Sequence, residues 1–207
     1  MKKLEGEAWL QSRAKRAMDV GVVALFGPPA AVLAGVSATA LAIEMQRKPW
    51  FYQERVGRSP VDLMQTPKLV TLRGPIDAVH SNGHTHERAT PIGKIIRRLH
   101  IDEAPQLMLV ARGQMSVVGA RPAVMHEYEM TMDILSPAEQ REYLHARSVV
   151  PPGIVTLDSG DQHTGQDTSP YEKAMNVITY ARTGSMSVDM DLLCATATGV
   201  VRDTWKR

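Results

Sequence analysis

The stretch from Val20 to Ile43 reads VGVVALFGPPAAVLAGVSATALAI and holds 24 residues without a charged side chain. As a straight helix it would be about 36 Å long, which exceeds the roughly 30 Å thickness of a bilayer's hydrocarbon core. A secretory signal is shorter, and this stretch also contains two prolines and follows 19 residues that include acids. The stretch therefore predicts a helical membrane segment.

Two prolines and the charges on both flanks predict how this segment meets the membrane. Pro28 and Pro29 each remove a backbone hydrogen-bond donor, so they are expected to bend or break the helix. Positively charged flanks stay on the cytoplasmic side of a membrane, and here both flanks are basic. We therefore predict a re-entrant hairpin; a kinked spanning helix and a buried helix of a soluble protein are the alternatives. The basic residues are Lys2, Lys3, Arg13, Lys15 and Arg16 before the stretch, and Arg47, Lys48, Arg55 and Arg58 after it.

The composition of the whole chain excludes several classes of protein. Its 207 residues suffice for one folded domain with its own core. Lys and Arg number 24 and Asp and Glu number 22, so charge gives no support to nucleic-acid binding. Because Cys194 is the single cysteine, the chain forms neither an internal disulfide framework nor a cysteine zinc cage.

Local signals in the rest of the chain predict a mostly helical domain. Thr90 and Pro91 read as a helix start, and the apolar residues that follow recur at i, i+3, i+4 and i+7. Pro105 is expected to open a second short helix that ends at Gly113. Further helix starts are predicted at Ser136, Ser169 and Ser187, and strands at Lys68–Leu72 and Met115–Val118. The predicted fold class is mostly α with a small β element, that is, α+β.

Asp102 and Glu103 are the pair most suggestive of chemistry. They lie just before Pro105, where a helix start would favour negative charge. Cations are near them in sequence, at Arg97, Arg98 and His100 and further on at Arg112 and Arg121. A carboxylate that attacks a phosphate needs such cations. An ordinary helix start with a solvated basic face is the alternative reading.

Three histidines form a second candidate site. His80, His84 and His86 lie within a loop rich in Gly, Asn and Ser, at spacings that a metal site could use. No acid or cysteine completes a ligand set at close spacing. A solvated polar loop is therefore the favoured reading.

Several segments, taken in order, resemble the bacterial sugar transferase family, which are monotopic polyprenol phosphate phosphoglycosyl transferases. Each segment alone is a weak signal, and together in register they are specific. The matching segments are KRAMD (Lys15–Asp19), FYQERVG (Phe51–Gly57), TPIGKIIRRLHIDEAPQL (Thr90–Leu107), GQMSVVGARP (Gly113–Pro122), PPGI (Pro151–Ile154) and SMSVDMDLL (Ser185–Leu193).

The resemblance implies a two-step reaction. Asp102 would attack the sugar-bearing phosphate of a UDP-sugar, release UMP and form a covalent aspartyl intermediate. Polyprenol phosphate would then take the phosphosugar, as the first membrane step of surface glycan assembly (exopolysaccharide, O-antigen or glycoprotein). Glu103 would help Asp102 hold Mg²⁺ or would handle a proton. By motif position, Lys68, Arg97 and Arg121 would bind phosphate groups.

The resemblance also implies a place in the cell and a division of the chain. Residues 1–19 would form an interfacial segment, 20–48 a re-entrant membrane helix, and 49–207 a helical cytoplasmic catalytic domain. The protein would be monotopic, on the cytoplasmic face of the cytoplasmic (inner) membrane. Its partners would be the UDP-sugar donor, the polyprenol phosphate acceptor and the membrane, without nucleic acid. A homodimer is compatible with the sequence.

Four positions depart from the family's pattern. Val70 stands where an arginine is usual, Gln114 replaces an aspartate and Ala120 replaces a proline. Asp161 stands where another arginine is usual. Two of these changes remove positive charge from the expected donor site, so the alternative function is a catalytically impaired, membrane-anchored homologue that binds nucleotide, lipid or partner enzymes.

Overall fold

The computed structural model describes residues 4–74, 89–157 and 168–198, which are mostly helical with two small sheets, as predicted. The helices are α1 (Glu7–Leu10), α2 (Arg13–Met45), α3 (Pro91–Arg98), α4 (Leu107–Ala111), α5 (Met125–Ile134), α6 (Pro137–Val149), α7 (Pro170–Thr183) and α8 (Met186–Thr198). A 3₁₀ helix, Ile101–Gln106, lies between α3 and α4. The strands are β1 (Trp50–Val56), β2 (Leu63–Leu69), β3 (Ser116–Val118) and β4 (Gly153–Val155).

The strands form two separate pairs. β1 and β2 make an antiparallel hairpin in which Trp50 lies opposite Leu69, and β3 pairs with β4 in parallel. The strand predicted at Met115–Val118 is confirmed as β3. The strand predicted at Lys68–Leu72 is displaced, because β2 begins at Leu63 and ends at Leu69. β1 was not predicted from the sequence.

Local capping explains why the helices start where they do. The Thr90 side chain accepts a hydrogen bond from the Gly93 backbone N–H and so begins α3. Ser136 and Ser169 each form a complete capping box, at α6 and α7. The expectation that Pro105 opens a helix is wrong. Pro105 lies inside the 3₁₀ helix, and α4 begins only at Leu107.

The apolar stretch is part of one long helix. α2 runs for 33 residues and contains both Pro28 and Pro29, whereas the sequence predicted a helix, a break and a second helix. The prolines cost the helix two backbone hydrogen bonds, and the helical turns on either side retain theirs. Its outward-facing apolar side chains are largely exposed, with Leu25 at 69% and Val32 at 66%. Only 11% of the most apolar 18-residue window is buried, so α2 is not the core helix of a soluble protein.

Both ends of α2 pack against the same folded domain. Near the N-terminal end, the buried Lys15 ammonium lies 2.9 Å from Asp189 Oδ2 of α8 and donates to the Val118 carbonyl of β3. The Asp19 carboxylate accepts from the Val117 backbone N–H at 2.9 Å. Near the C-terminal end, Ala38 and Leu41 are buried in a cluster with Leu69 and Ile96. The domain therefore holds the apolar helix at both ends.

A buried polar network centred on Asp189 anchors the N-terminal end. Its carboxylate also accepts hydrogen bonds from Trp9 Nε1 at 3.1 Å and from the Tyr180 hydroxyl at 2.5 Å. Burial, followed by the Asp189 charge and hydrogen bond, raises the pKa of Tyr180, so this hydroxyl remains a donor. Lys15 therefore acts as a structural cation and not as a solvated membrane-flanking charge.

Removing the Asp189 charge is expected to destabilise the fold strongly. Asp189→Asn leaves the buried Lys15 ammonium with only the more distant Asp19 carboxylate, at 3.6 Å. Breaking a buried pair by removing one partner costs about 3–5 kcal/mol. Denaturant unfolding in detergent measures this loss, with Asp191→Asn, an exposed carboxylate on the same helix, as the control. Equal stabilities of the two variants would contradict the assignment.

Gly119 and Gly153 allow the GQMSVVGARP and PPGI segments to come into contact. A Cβ atom at Gly119 would lie 2.2 Å from the Pro151 carbonyl oxygen, and one at Gly153 would lie 2.2 Å from the Gly119 nitrogen. Only glycine allows the two backbones to approach so closely. This contact places the segment containing Arg121 beside β4, and the main core of α5 to α8 closes around both strands.

Candidate active site

The carboxylates of Asp102 and Glu103 are presented by a short irregular turn. α3 ends at Arg98, and His100 then adopts a left-handed conformation with φ 54°. Asp102 and Glu103 follow in the first turn of the 3₁₀ helix, which packs against β2 and α2. A non-glycine residue in this conformation is strained, and such strain clusters at functional sites.

Lys68 of β2 holds Glu103. The Lys68 ammonium lies 2.5 Å from Glu103 Oε1, and the exposed fractions of the two side chains are 15% and 24%. Gln106, which is buried, lines the same small cavity as these two side chains. The ion pair fixes the turn that carries both carboxylates against the hairpin.

Two arginines complete a cationic cluster around Glu103. Arg55 of β1 and Arg121 line the cavity together with Lys68 and Glu103. Arg55 donates to the Pro122 carbonyl at 2.6 Å and to Gln53 Oε1, so it also holds the backbone beside Arg121. Burial, with the charge of Arg121, lowers the pKa of Arg55 to about 10, and the guanidinium remains charged near neutral pH. The three cations therefore outnumber Glu103 at this cavity and leave a surplus of positive charge that would attract an anion.

The two carboxylates have opposite pKa shifts. Burial raises the pKa of Asp102, and the Lys68 charge opposes that rise. Burial alone would also raise the pKa of Glu103, but the charge and hydrogen bond of Lys68, with Arg121 and Arg55, outweigh it and lower the pKa to about 2. Glu103 is therefore a permanent anion near neutral pH. Asp102, with no salt bridge to any described residue, keeps its carboxylate available for another partner.

The structure brings together most of the residues predicted for the site. Lys68, Glu103 and Arg121 line the same cavity, and the Arg97 charge offsets part of the rise that burial causes in the pKa of Asp102. Sequence reasoning missed Gln106 and Arg55. The signal for Arg55 was present, because it lies in the FYQERVG segment, but it was counted only as a basic flank. Exposed Arg112 lies outside the cavity.

The departures from the family's pattern fall in different surroundings. Val70 is buried and its backbone N–H donates to the Pro49 carbonyl. Gln114 is exposed, and Ala120 is buried beside β4. Asp161 and the three histidines, His80, His84 and His86, lie outside the described residues.

The donor atoms of the site suit a magnesium ion that arrives with a phosphate ligand. Within the described residues, no group of three or more His, Cys, Asp or Glu side chains is placed to hold a metal. Mg²⁺ commonly takes one or two protein carboxylates and completes its shell with substrate phosphates and water. Asp102 and Glu103 offer that number of carboxylates.

Comparison with known proteins identifies the family. The model of the family described as bacterial sugar transferase matches residues 10–203. The chain belongs to this family. The match includes α2, the hairpin, the carboxylate pair and α8, and it confirms the resemblance predicted from the sequence.

Similar proteins of named activity cover parts of the chain. An undecaprenyl-phosphate glucose phosphotransferase of Komagataeibacter xylinus is 30% identical over 187 residues, covering 88% of this chain and 35% of that protein. A UDP-glucose:undecaprenyl-phosphate glucose-1-phosphate transferase of Caulobacter vibrioides is 38% identical over 120 residues, covering 55% of this chain and 43% of that protein. This chain therefore spans less than half the length of these two relatives.

Proposed function

We propose that this bacterial sugar transferase moves a phosphosugar from a UDP-sugar to polyprenol phosphate, giving polyprenol diphosphate-sugar and UMP. The observation that carries the proposal is that Asp102 directly precedes Glu103, which lines a cavity with Lys68, Arg55 and Arg121, and that the Lys68 charge reaches the Asp102 carboxylate. The site has more positively charged side chains than carboxylates, and a diphosphate substrate requires this because its negative charge must be stabilised. The printed names of the relatives, which describe undecaprenyl-phosphate sugar phosphotransferases, support the same reaction class.

The proposed reaction has two displacements at one phosphorus atom. An Asp102 carboxylate oxygen attacks the sugar-bearing phosphorus of the UDP-sugar, and the P–O bond to UMP breaks with its electron pair leaving on UMP. The enzyme then carries a phosphosugar on Asp102. A phosphate oxygen of polyprenol phosphate attacks the same phosphorus, and the aspartyl bond breaks to restore the carboxylate.

The charged neighbours have separate tasks in this proposal. Lys68, Arg55 and Arg121 stabilise the charge on the diphosphate, and Arg97 favours the ionised form of Asp102. Glu103 is a poor proton carrier because its pKa is lowered to about 2. This favours the metal-holding role for Glu103 over the proton-handling role. Mg²⁺, held by Asp102 and Glu103 with the substrate phosphates, would neutralise diphosphate charge.

A panel of radiolabelled UDP-sugars with polyprenol phosphate tests the proposed function. Purified protein in detergent should release UMP and produce a labelled lipid diphosphate with at least one donor. Absence of both products across the panel would favour the catalytically impaired homologue. Val70→Arg and Asp161→Arg, singly and together, then show whether the lost charges explain the inactivity.

We further propose that α2 enters and leaves the membrane on one side. Its N-terminal end is held through Lys15 and its C-terminal end through Leu41, both by the same domain. A 33-residue helix is about 50 Å long, and a helix that crossed the bilayer would place one of these ends on the far side. The packing therefore supports a monotopic, re-entrant segment, and the basic residues on both flanks favour the cytoplasmic face.

Cysteine labelling tests this topology. In a Cys194→Ser background, Lys2→Cys and Lys48→Cys should both resist an impermeant thiol reagent in intact cells and both react after lysis. We expect this because both flanks lie on the cytoplasmic side. Labelling of one position alone in intact cells would mean that α2 spans the membrane.

Replacing Lys68 should shift the acidic limb of the pH–rate profile to higher pH. UMP release requires ionised Asp102, so the rate falls as the pH drops through the pKa of Asp102, which burial raises above 3.8. Lys68→Met removes the largest charge that opposes this rise, and the limb should shift to higher pH. The measurement is kcat/KM for UMP release against pH, with Lys94→Met, an exposed lysine of α3, as the control. A limb that stays in place would contradict the role of Lys68.

A further inference from the structure

We propose that the groove between α2 and the β1–β2 hairpin holds the isoprenoid chain of the acceptor lipid; this inference rests on the proposed function. The groove has a volume of about 570 Å³, within the roughly 300–1,000 Å³ typical of ligand sites. No charged side chain of the described residues lines it. Gly27, Ala31 and Ala34 of α2 form one wall, and Trp50 and Tyr52 of β1 face them.

The apolar surface along α2 has a shape that suits an extended isoprenoid chain. A second apolar depression of about 520 Å³ follows the C-terminal half of α2, and Trp50 lines both depressions. Together they follow α2 from Val23 to Ile43, a rise of about 30 Å along a helix. An extended isoprenoid is long, narrow and apolar, so it fits this surface better than a compact ligand does.

The groove reaches the turn that carries the two carboxylates. Ala104 lines the groove and directly follows Glu103 of the charged site. Pro67 also lines the groove, and because successive side chains of a strand point to opposite faces, Lys68 and its partner Glu103 lie on the other face of the hairpin. A lipid whose chain lies in the groove can therefore bring its phosphate end to the turn that carries Asp102 and Glu103, where the second displacement needs it.

The acceptor fits this position better than an ordinary membrane lipid. The wall residues Trp50 and Tyr52 are 42% and 68% exposed, and such aromatic side chains favour the level of lipid headgroups. A phospholipid acyl chain shares the apolar chemistry but has no reaction to perform at the neighbouring site.

A matched pair of substitutions on α2 tests the proposal. Ala31→Phe fills the groove, whereas Ala24→Phe places the same side chain at an exposed position that does not line it. Two rates are measured on the full chain in detergent: UMP release in a single turnover without acceptor, and turnover against polyprenyl phosphate concentration. Ala31→Phe should raise the KM for polyprenyl phosphate at least tenfold and change single-turnover UMP release less than twofold. Ala24→Phe should change neither by more than twofold.

An unchanged KM for the acceptor in a folded Ala31→Phe variant would overturn the groove assignment. If that variant does not fold, the wild type is labelled with a diazirine-bearing polyprenyl phosphate and the labelled peptide is mapped. Label on the α2 or β1 groove peptides, displaced by polyprenyl phosphate and not by phosphatidylglycerol, supports the proposal. Label elsewhere, or equal displacement by phosphatidylglycerol, overturns it in favour of another site or a bulk lipid. Labelling needs no turnover, so a protein that releases no UMP would refute the proposed function separately.

Discussion

Asp102→Asn is expected to abolish UMP release from a UDP-sugar, with or without polyprenol phosphate. Asparagine keeps the shape of the side chain but lacks the anionic oxygen that attacks phosphorus. Losing a nucleophile should cost at least a thousandfold in rate, which corresponds to about 4 kcal/mol of barrier. Single-turnover UMP release measures the loss, because the first displacement needs no acceptor.

Two further variants show whether the loss of activity is specific to the Asp102 carboxylate. Asp133→Asn makes the same change at an exposed carboxylate of α5 and should leave the rate unchanged. Glu103→Gln should also be severe, because it removes the partner of Lys68 and one proposed metal ligand, but donor binding should remain measurable. Robust turnover by Asp102→Asn would show that another group attacks the donor.

Removing divalent metal is expected to have the second largest effect. Chelation should reduce UMP release at least a hundredfold, and added Mg²⁺ or Mn²⁺ should restore it, because a metal supplies several kcal/mol of charge stabilisation at a diphosphate. The measurement is UMP release in chelator, followed by titration of each metal. Full activity in chelator would contradict the metal-holding role of Asp102 and Glu103.

The histidines provide the control for the metal experiment. A triple alanine variant of His80, His84 and His86 should stay active and retain the same Mg²⁺ dependence. A folded but inactive triple variant would show that the loop, and not the carboxylate pair alone, serves the metal or the donor. The two results together separate the two candidate metal sites.

Signals that act over a few residues predicted much of this fold. Thr90, Ser136 and Ser169 each cap a helix as expected, since a cap and its partner are three residues apart. The small β element was expected, but the hairpin was missed, because the exposed face of β1 carries Trp50 and Tyr52 and does not show the usual apolar and polar alternation. The path of the long helix through Pro28 and Pro29 was also missed, because packing at both of its ends stabilises it.

The site was predictable where the sequence places groups side by side and not where folding joins distant segments. Asp102 and Glu103 are neighbours, and motif positions added Lys68, Arg97 and Arg121. Arg55 reaches the cavity only through the pairing of β1 with β2. Lys15, which lies away from the site, was likewise assigned from sequence neighbours alone, as a membrane-flanking charge. Its buried partner, Asp189, is 174 positions away and meets it only because α8 packs against α2.

Mapping the covalent adduct tests the central claim most directly. Wild-type protein is mixed with a UDP-sugar that supports UMP release, without acceptor, and quenched rapidly in acid for intact-mass and peptide analysis. The account predicts a mass increase of one phosphosugar on a peptide containing Asp102, lost when polyprenol phosphate is added before the quench. An adduct on another residue, or UMP release with no adduct at any time point, would contradict the aspartyl mechanism.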